Sequence, residues 1–238
     1  MGRILVPSPT NITNREVAEL YDDFWDYTKD TLWTDIQTDA TATVAQADGQ
    51  LSNVKLLTSV DNESCVLFSV YESFKFTANK AMYAETSILF TDAATATKNA
   101  ALMFGFADAF ALDLIADGGQ SLTINDSGAL IFKKSEGTAW CFQTEIGGTA
   151  VTSTSTAVPQ SSNYQQLAID IVPQSATVFQ ARPFVDGKQL IDSTTGDPIQ
   201  HDITLGTATD MQLGFELKGG HADDTTCLVD YIYASQVR

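Results

Sequence analysis

From about Thr41 to its end the chain is a succession of short runs rich in Val, Ile, Phe, Tyr and Thr. They are LSNVKLLTSV, SCVLFSVY, SFKFTA, KAMYAETSILFTD, ALMFGFAD, SLTIND, GALIFKK, TAWCFQTEIGG, YQQLAIDIV, ATVFQARPFVDGKQLID, DMQLGFELKG and TTCLVDYIYASQV. Turn residues separate them every eight to fifteen positions. Short β-prone runs at that spacing predict an all-β sandwich or barrel. Asp186-Gly187 between PFV and KQLI marks a tight hairpin, since both residues tolerate positive φ. Asp117-Gly118-Gly119 and Gly219-Gly220 punctuate in the same way. Thr152–Ser162, TSTSTAVPQSS, reads as a polar loop or a solvated edge strand.

Two details refine the layering. CVLFSV and ALMFGF are apolar at every other position and between, so both faces need cover. Strands of that type lie centrally beneath a second layer, which a stacked sheet about 10 Å away supplies. The closing TTCLVDYIYASQVR alternates, which predicts Cys227, Val229, Tyr231 and Tyr233 on one face and Leu228, Asp230, Ile232 and Ala234 on the other. A terminal segment of that kind must be tied into a sheet to be ordered.

The first 30 residues read differently. Pro7 and Pro9 favour an extended arm. Thr13 and Glu16 form a capping box, with Ile12 and Val17 placed as a hydrophobic staple. Val17, Leu20, Tyr21 and Phe24 then recur at helical spacing and predict a short amphipathic helix to about Thr28. The expected division is an arm and helix over 1–30 and a sandwich over 31–238.

Thirteen basic residues against 30 acidic give a formal charge of −17 and a sequence pI near 4.2. Such a chain repels a phosphate backbone, so no direct nucleic-acid binding is expected. No run of about 18 apolar residues is present, so no membrane span is expected. Cys65, Cys141 and Cys227 lie far apart in apolar runs without a CxxC pair, which predicts buried free thiols. With no N-terminal apolar h-region either, secretion is not expected, and the sequons at Asn11, Asn62 and Asn125 read as chance.

Catalytic constellations are sparse. His201 and His221 each stand beside aspartates in stretches read as solvated loops. Two histidines leave little for a triad or a His-based metal site. Retaining glycosidases need two carboxylates about 5 Å apart, which jelly rolls place on one strand as E-x-D-x-x-E. Glu16, Glu63, Glu72, Glu85, Glu136, Glu145 and Glu216 all lack an aspartate two residues on. No catalytic, cofactor or metal residue is therefore assigned. Asn125-Asp126 and Ala222-Asp223-Asp224 are oxygen-rich loops of the type that can hold Ca²⁺, weighed against the chance abundance of acidic pairs. Trp33 and Trp140 could stack on sugar, but aromatics within strands are more often core.

The blocks AMYAETSILFTD, ALMFGFAD, PFVDGKQL, DMQLGFELKGG and TCLVDYIYASQVR resemble, in order and spacing over roughly Lys80 to Arg238, structural proteins of tailed bacteriophages with a concanavalin A-like (LamG-type) jelly roll. The resemblance implies a non-enzymatic head decoration (cement) protein, made in the host cytoplasm. It would bind the major capsid protein on the outer surface of the virion, as a homotrimer. The alternatives are another virion component of tail or fibre, or a carbohydrate-binding lectin-like module, with a host-surface glycan as a further partner. On the decoration reading the N-terminal segment makes the capsid or protomer contact, through Arg3, Ile4, Leu5, Val6, Pro7, Pro9 and Trp25.

Overall fold

The structure, a computed structural model, describes residues 17–25, 27, 29–47, 53–91, 100–117, 119–124, 126–206 and 210–237. Among these residues every regular element is a strand. In chain order the first eight are β1 Val17–Asp22, β2 Trp33–Gln37, β3 Thr43–Gln46, β4 Val54–Thr58, β5 Ser64–Ser69, β6 Met82–Phe90, β7 Ala101–Ala107 and β8 Ser127–Lys133. The rest are β9 Trp140–Ile146, β10 Thr149–Thr154, β11 Gln165–Pro173, β12 Val178–Val185, β13 Lys188–Gln189, β14 His201–Thr204, β15 Gln212–Lys218 and β16 Thr225–Val237.

Two antiparallel sheets are stacked as a concanavalin A-like jelly roll. The nine-stranded sheet runs β13-β12-β11-β6-β16-β4-β3, with β1 also on β16 and β14 also on β12. The seven-stranded sheet runs β10-β9-β8-β7-β15-β5-β2. Alternate residues of both sheets meet in one core, among them Leu56, Phe104, Trp140, Phe142, Ile169, Phe215 and Val229. Each such side chain contributes about 1.5–3 kcal/mol by leaving water. Trp33 and Trp140 are both within it, as strand aromatics should be. Cys65, Cys141 and Cys227 are buried and unbridged, and burial pushes their thiols upward.

The doubly apolar strands β5 and β7 have a second cover. A segment over 108–117 and 119–124 lies on the outer side of the seven-stranded sheet. Its Phe110, Leu114, Ile115, Leu122 and Ile124 pack on Val66, Met103, Leu130, Phe132 and Cys141. Phe110 stacks on Phe68 with centroids 5.8 Å apart. A Cβ at Gly214 would come within 3.0 Å of the Phe110 ring, so glycine leaves the room that ring needs. We refer to this covering segment as the flap.

The predicted helix is absent where it can be seen. Val17–Asp22 is an edge strand on β16, with Val17 opposite Val237 and Asp22 opposite Ile232. VAELYD carries both periods, and the open edge of β16 selects the extended one by satisfying the strand's backbone groups. Pairing thus begins inside the first 30 residues, while Ile12, Thr13 and Glu16 lie outside the described residues.

The closing strand is central, between β6 on one side and β4 and β1 on the other. Strict alternation along it fails, however. A bulge between Val229 and Tyr231 inserts Asp230 as an extra residue. Cys227, Val229, Ile232 and Ala234 therefore all point into the core, and Tyr231 and Tyr233 point out. Elsewhere SFKFTA and SLTIND make only isolated bridges, Phe74 to Met211 and Leu122 to Ile115. The Asp186-Gly187 hairpin forms as expected, with φ of 51° and 70°.

Candidate functional site: the outer face of the nine-stranded sheet

With the flap over one sheet, the sheet surface left uncovered among the described residues is the outer side of the other. Alternation places Tyr83, Glu85 and Ser87 of β6 there, with Gln166 and Asp170 of β11 and Arg182 and Phe184 of β12. The bulge delivers Tyr231, Tyr233 and Ser235 of β16 to the same side, and β1 adds Glu19 and Tyr21. Register aligns these residues in rows across the strands. One row reads Tyr21, Tyr233, Glu85, Ala168, Phe184. The next reads Ser235, Tyr83, Asp170, Arg182. Four of the seven tyrosines of the chain stand on this one face.

The polar groups hold the rings in place. The hydroxyls of Tyr83 and Tyr231 both donate to the Glu85 carboxylate. Gln166 Nε2 donates to the Tyr231 hydroxyl at 3.2 Å. The Tyr83 and Tyr233 rings lie 6.2 Å apart at 52°, within the range of favourable aromatic pairs. Arg182 is paired with Asp170 at 2.5 Å. Partial burial, and then the hydrogen bond to Glu85, push the Tyr83 and Tyr231 phenols upward, so both stay protonated donors. Tyr21 is half exposed at 49%. Its phenol is raised by burial and by Asp23, Asp230 and Asp22 beside it.

Among the described residues the opposite sheet presents no such tyrosine cluster, and the flap is anchored to it. Glu216 of β15 is completely buried. Its Oε2 accepts from the Ile115 amide at 2.8 Å and its Oε1 from Ser64 Oγ at 2.6 Å. Desolvation raises this carboxyl to about 7, against the lowering effect of Ser64, the Ile115 amide and Lys218. Lys218 Nζ reaches Asp113 at 2.5 Å and Asp117 at 2.8 Å, both on the flap. Desolvation alone would lower the Lys218 ammonium, but these two carboxylates outweigh it and hold it up.

The remaining sequence candidates fall as follows. Arg3, Ile4, Leu5, Val6, Pro7 and Pro9 lie outside the described residues. Trp25 follows β1 and is 76% exposed, with its carbonyl accepting from Gln46 Nε2 at 2.7 Å. His201 corrects the loop reading: it is a buried residue of β14. Its Nδ1 lies 3.0 Å from Thr144 Oγ1 and its Nε2 3.1 Å from Ser153 Oγ, which ties the two sheets together. Burial lowers its imidazole to about 4, with Asp192 opposing. His221 is in a loop as expected, its Nδ1 accepting from the Asp223 amide at 2.9 Å. Of the two candidate calcium loops, Asn125 is outside the described residues. Among the described residues no three His, Cys, Asp or Glu side chains are grouped to hold a metal ion. The tyrosine face itself was missed from sequence. The signal was the Tyr83, Glu85, Ser87 alternation in AMYAETSILF, which became legible only with the bulge that sets Tyr231 and Tyr233 beside it.

Comparison with known proteins places the chain by fold. No protein-family model matches it, and no curated protein sequence does. Solved structures do. The carbohydrate recognition domain of Emp47p superposes with a TM-score of 0.60 at 11% identity, over 91% of this chain and 93% of that one. The potassium-bound carbohydrate recognition domain of Emp46p gives 0.61 at 11%, over 90% and 94%. An endo-1,3-β-glucanase from Streptomyces sioyaensis gives 0.57 at 9%, over 92% and 96%. Binding proteins and an enzyme thus share this jelly roll, and the likeness establishes the fold alone.

Proposed function

We propose that the chain is a non-catalytic carbohydrate-binding protein that holds neutral glycans on the tyrosine face of its nine-stranded sheet. The observation that carries this reading is the placement of Tyr21, Tyr83, Tyr231 and Tyr233 on one open face around Glu85, Gln166, Asp170 and Arg182. A pyranose ring offers an apolar C–H side and a rim of hydroxyls. Phenol rings match the first, and carboxylate, amide and guanidinium groups match the second. The hydrogen bonds to Glu85 fix two rings before any ligand arrives, so little rotamer freedom is lost on binding. Glu85, Asp170, Glu19 and Asp230 against Arg182, on a chain of charge −17, disfavour uronic or sulfated sugars. The names of Emp46p and Emp47p as carbohydrate recognition domains favour the same class of ligand.

A glycan array tests it. Neutral oligosaccharides should bind, with acidic ones absent from the top of the ranking. Tyr83→Ala and Tyr233→Ala should each weaken binding by about tenfold, the loss of about 1.4 kcal/mol. An array without hits would contradict the reading. So would hits unaffected by both substitutions, or release of reducing ends from a neutral polysaccharide.

A second reading, a capsid decoration protein on the virion surface, is favoured by the phage-like blocks over Lys80 to Arg238. The tyrosines and Arg182 suit the core of a protein interface as well. On that reading the chain cosediments with expanded heads containing the major capsid protein, and Tyr83→Ala and Tyr233→Ala release it.

A further inference from the structure

The seven-stranded sheet ends on β10, TAVTST, which pairs with β9 on one side and, among the described residues, meets only the 191–193 segment on the other, from Thr154 onward. The Ser155 amide donates to the Trp140 carbonyl at 2.9 Å. That fixes the phase of the ladder: odd residues bond to β9, and even residues turn their main chain away from it. The Thr154 carbonyl accepts from the Ser193 amide at 2.8 Å, as this phase requires. The amides and carbonyls of Ala150 and Thr152 are thereby aimed outward along a bare edge.

Natural edge strands are shielded by charge, proline, bulges or shortness. The other sheet edges here show such devices. β13 has two residues. β3 has four. β2 carries Asp35, ion-paired to Lys29 at 3.0 Å. β10 has six residues, no charge, no proline and an unbroken register. It also lies in the most neutral part of the chain: Glu145 and Asp170 bracket 24 residues (146 to 169) without Asp, Glu, Lys or Arg. On a chain of charge −17, this is where two copies can approach with least repulsion.

We infer that β10 pairs antiparallel with β10 of a second copy. The two-fold axis passes through Val151, so that Ala150 exchanges both main-chain bonds with the partner's Thr152. The register is self-complementary, because every facing pair is neutral, and it buries Val151, now 47% exposed, against its own counterpart. Two seven-stranded sheets become one continuous sheet, and two tyrosine faces are held in fixed relation. That arrangement raises avidity for a polymeric ligand, although the pairing does not depend on what the tyrosine face binds.

Sedimentation of the full chain over a range of concentrations, at low and high salt, tests this. The expected result is a monomer–dimer equilibrium that strengthens with salt as repulsion is screened. Thr152→Pro removes an amide that β9 does not use, and Val151→Lys opposes two charges at the axis. Each should weaken dimerisation by about tenfold or more, with the melting temperature of the monomer nearly unchanged. Should Thr152→Pro misfold, Val151→Lys carries the test alone. A strict monomer at all concentrations, a trimer, or a dimer indifferent to the folded variants would overturn the inference.

Discussion

At the scale of single residues the buried Glu216 makes the sharpest statement. Its folded carboxyl titrates at about 7, against 4.5 in the unfolded chain. Below about pH 4.5 both states hold the proton and the contribution to stability is complete. As pH rises through 7 the unfolded chain loses its proton first, and stability falls by on the order of 3 kcal/mol. Glu216→Gln keeps a partner for both Ser64 and the Ile115 amide and cannot ionise. The variant should match wild type near pH 4.5 and melt several degrees higher near pH 8. His201, lowered to about 4, works in the opposite sense between 6.5 and 4, so the difference between variant and wild type is the quantity to follow. A constant difference across pH would show that Glu216 does not titrate in this range. Sequence reading recognised the core cysteines because apolar runs surround them, and Trp33 and Trp140 because aromatics within strands are usually core. It misplaced His201 because HDIT is four residues long and polar at all but Ile203, and only the facing Thr144 and Ser153 make it a buried position.

At the scale of elements, most of the strands of both sheets were legible as runs, and three errors share one cause. Local period cannot register a partner distant in sequence. β1 looked helical until the edge of β16 claimed it, the flap looked like another strand at SLTIND, and the bulge at Asp230 was invisible to alternation. The bulge has a simple test. Because Asp230 is the extra residue, deleting it leaves Val229 inward, Tyr231 outward and Ile232 inward in an unbroken ladder. The deletion variant should fold with its near-ultraviolet spectrum intact and stability within about 2 kcal/mol of wild type, retaining the tyrosine face. Failure to fold would mean that the local twist at the bulge, and not the pairing of faces, organises β16.

At the scale of the whole molecule, stacking of two sheets follows from composition and spacing, whereas function depends on which surface stays open. That choice is made by the flap: Phe110, Leu114 and Ile115 seal one sheet and Lys218 anchors the seal through Asp113 and Asp117. The other sheet is left with its tyrosines on display. On the proposed function, the charge of −17 would disfavour anionic ligands by long-range repulsion. Backbone amide shifts, followed by NMR while a neutral oligosaccharide found on the array is added, test this division of surfaces most directly. We predict saturable shifts confined to Tyr83–Ser87, Gln166–Asp170 and Tyr231–Ser235, with the flap and β15 silent. Shifts centred on the flap, on Glu216 and Lys218, or on the loops at the ends of the sandwich would contradict it.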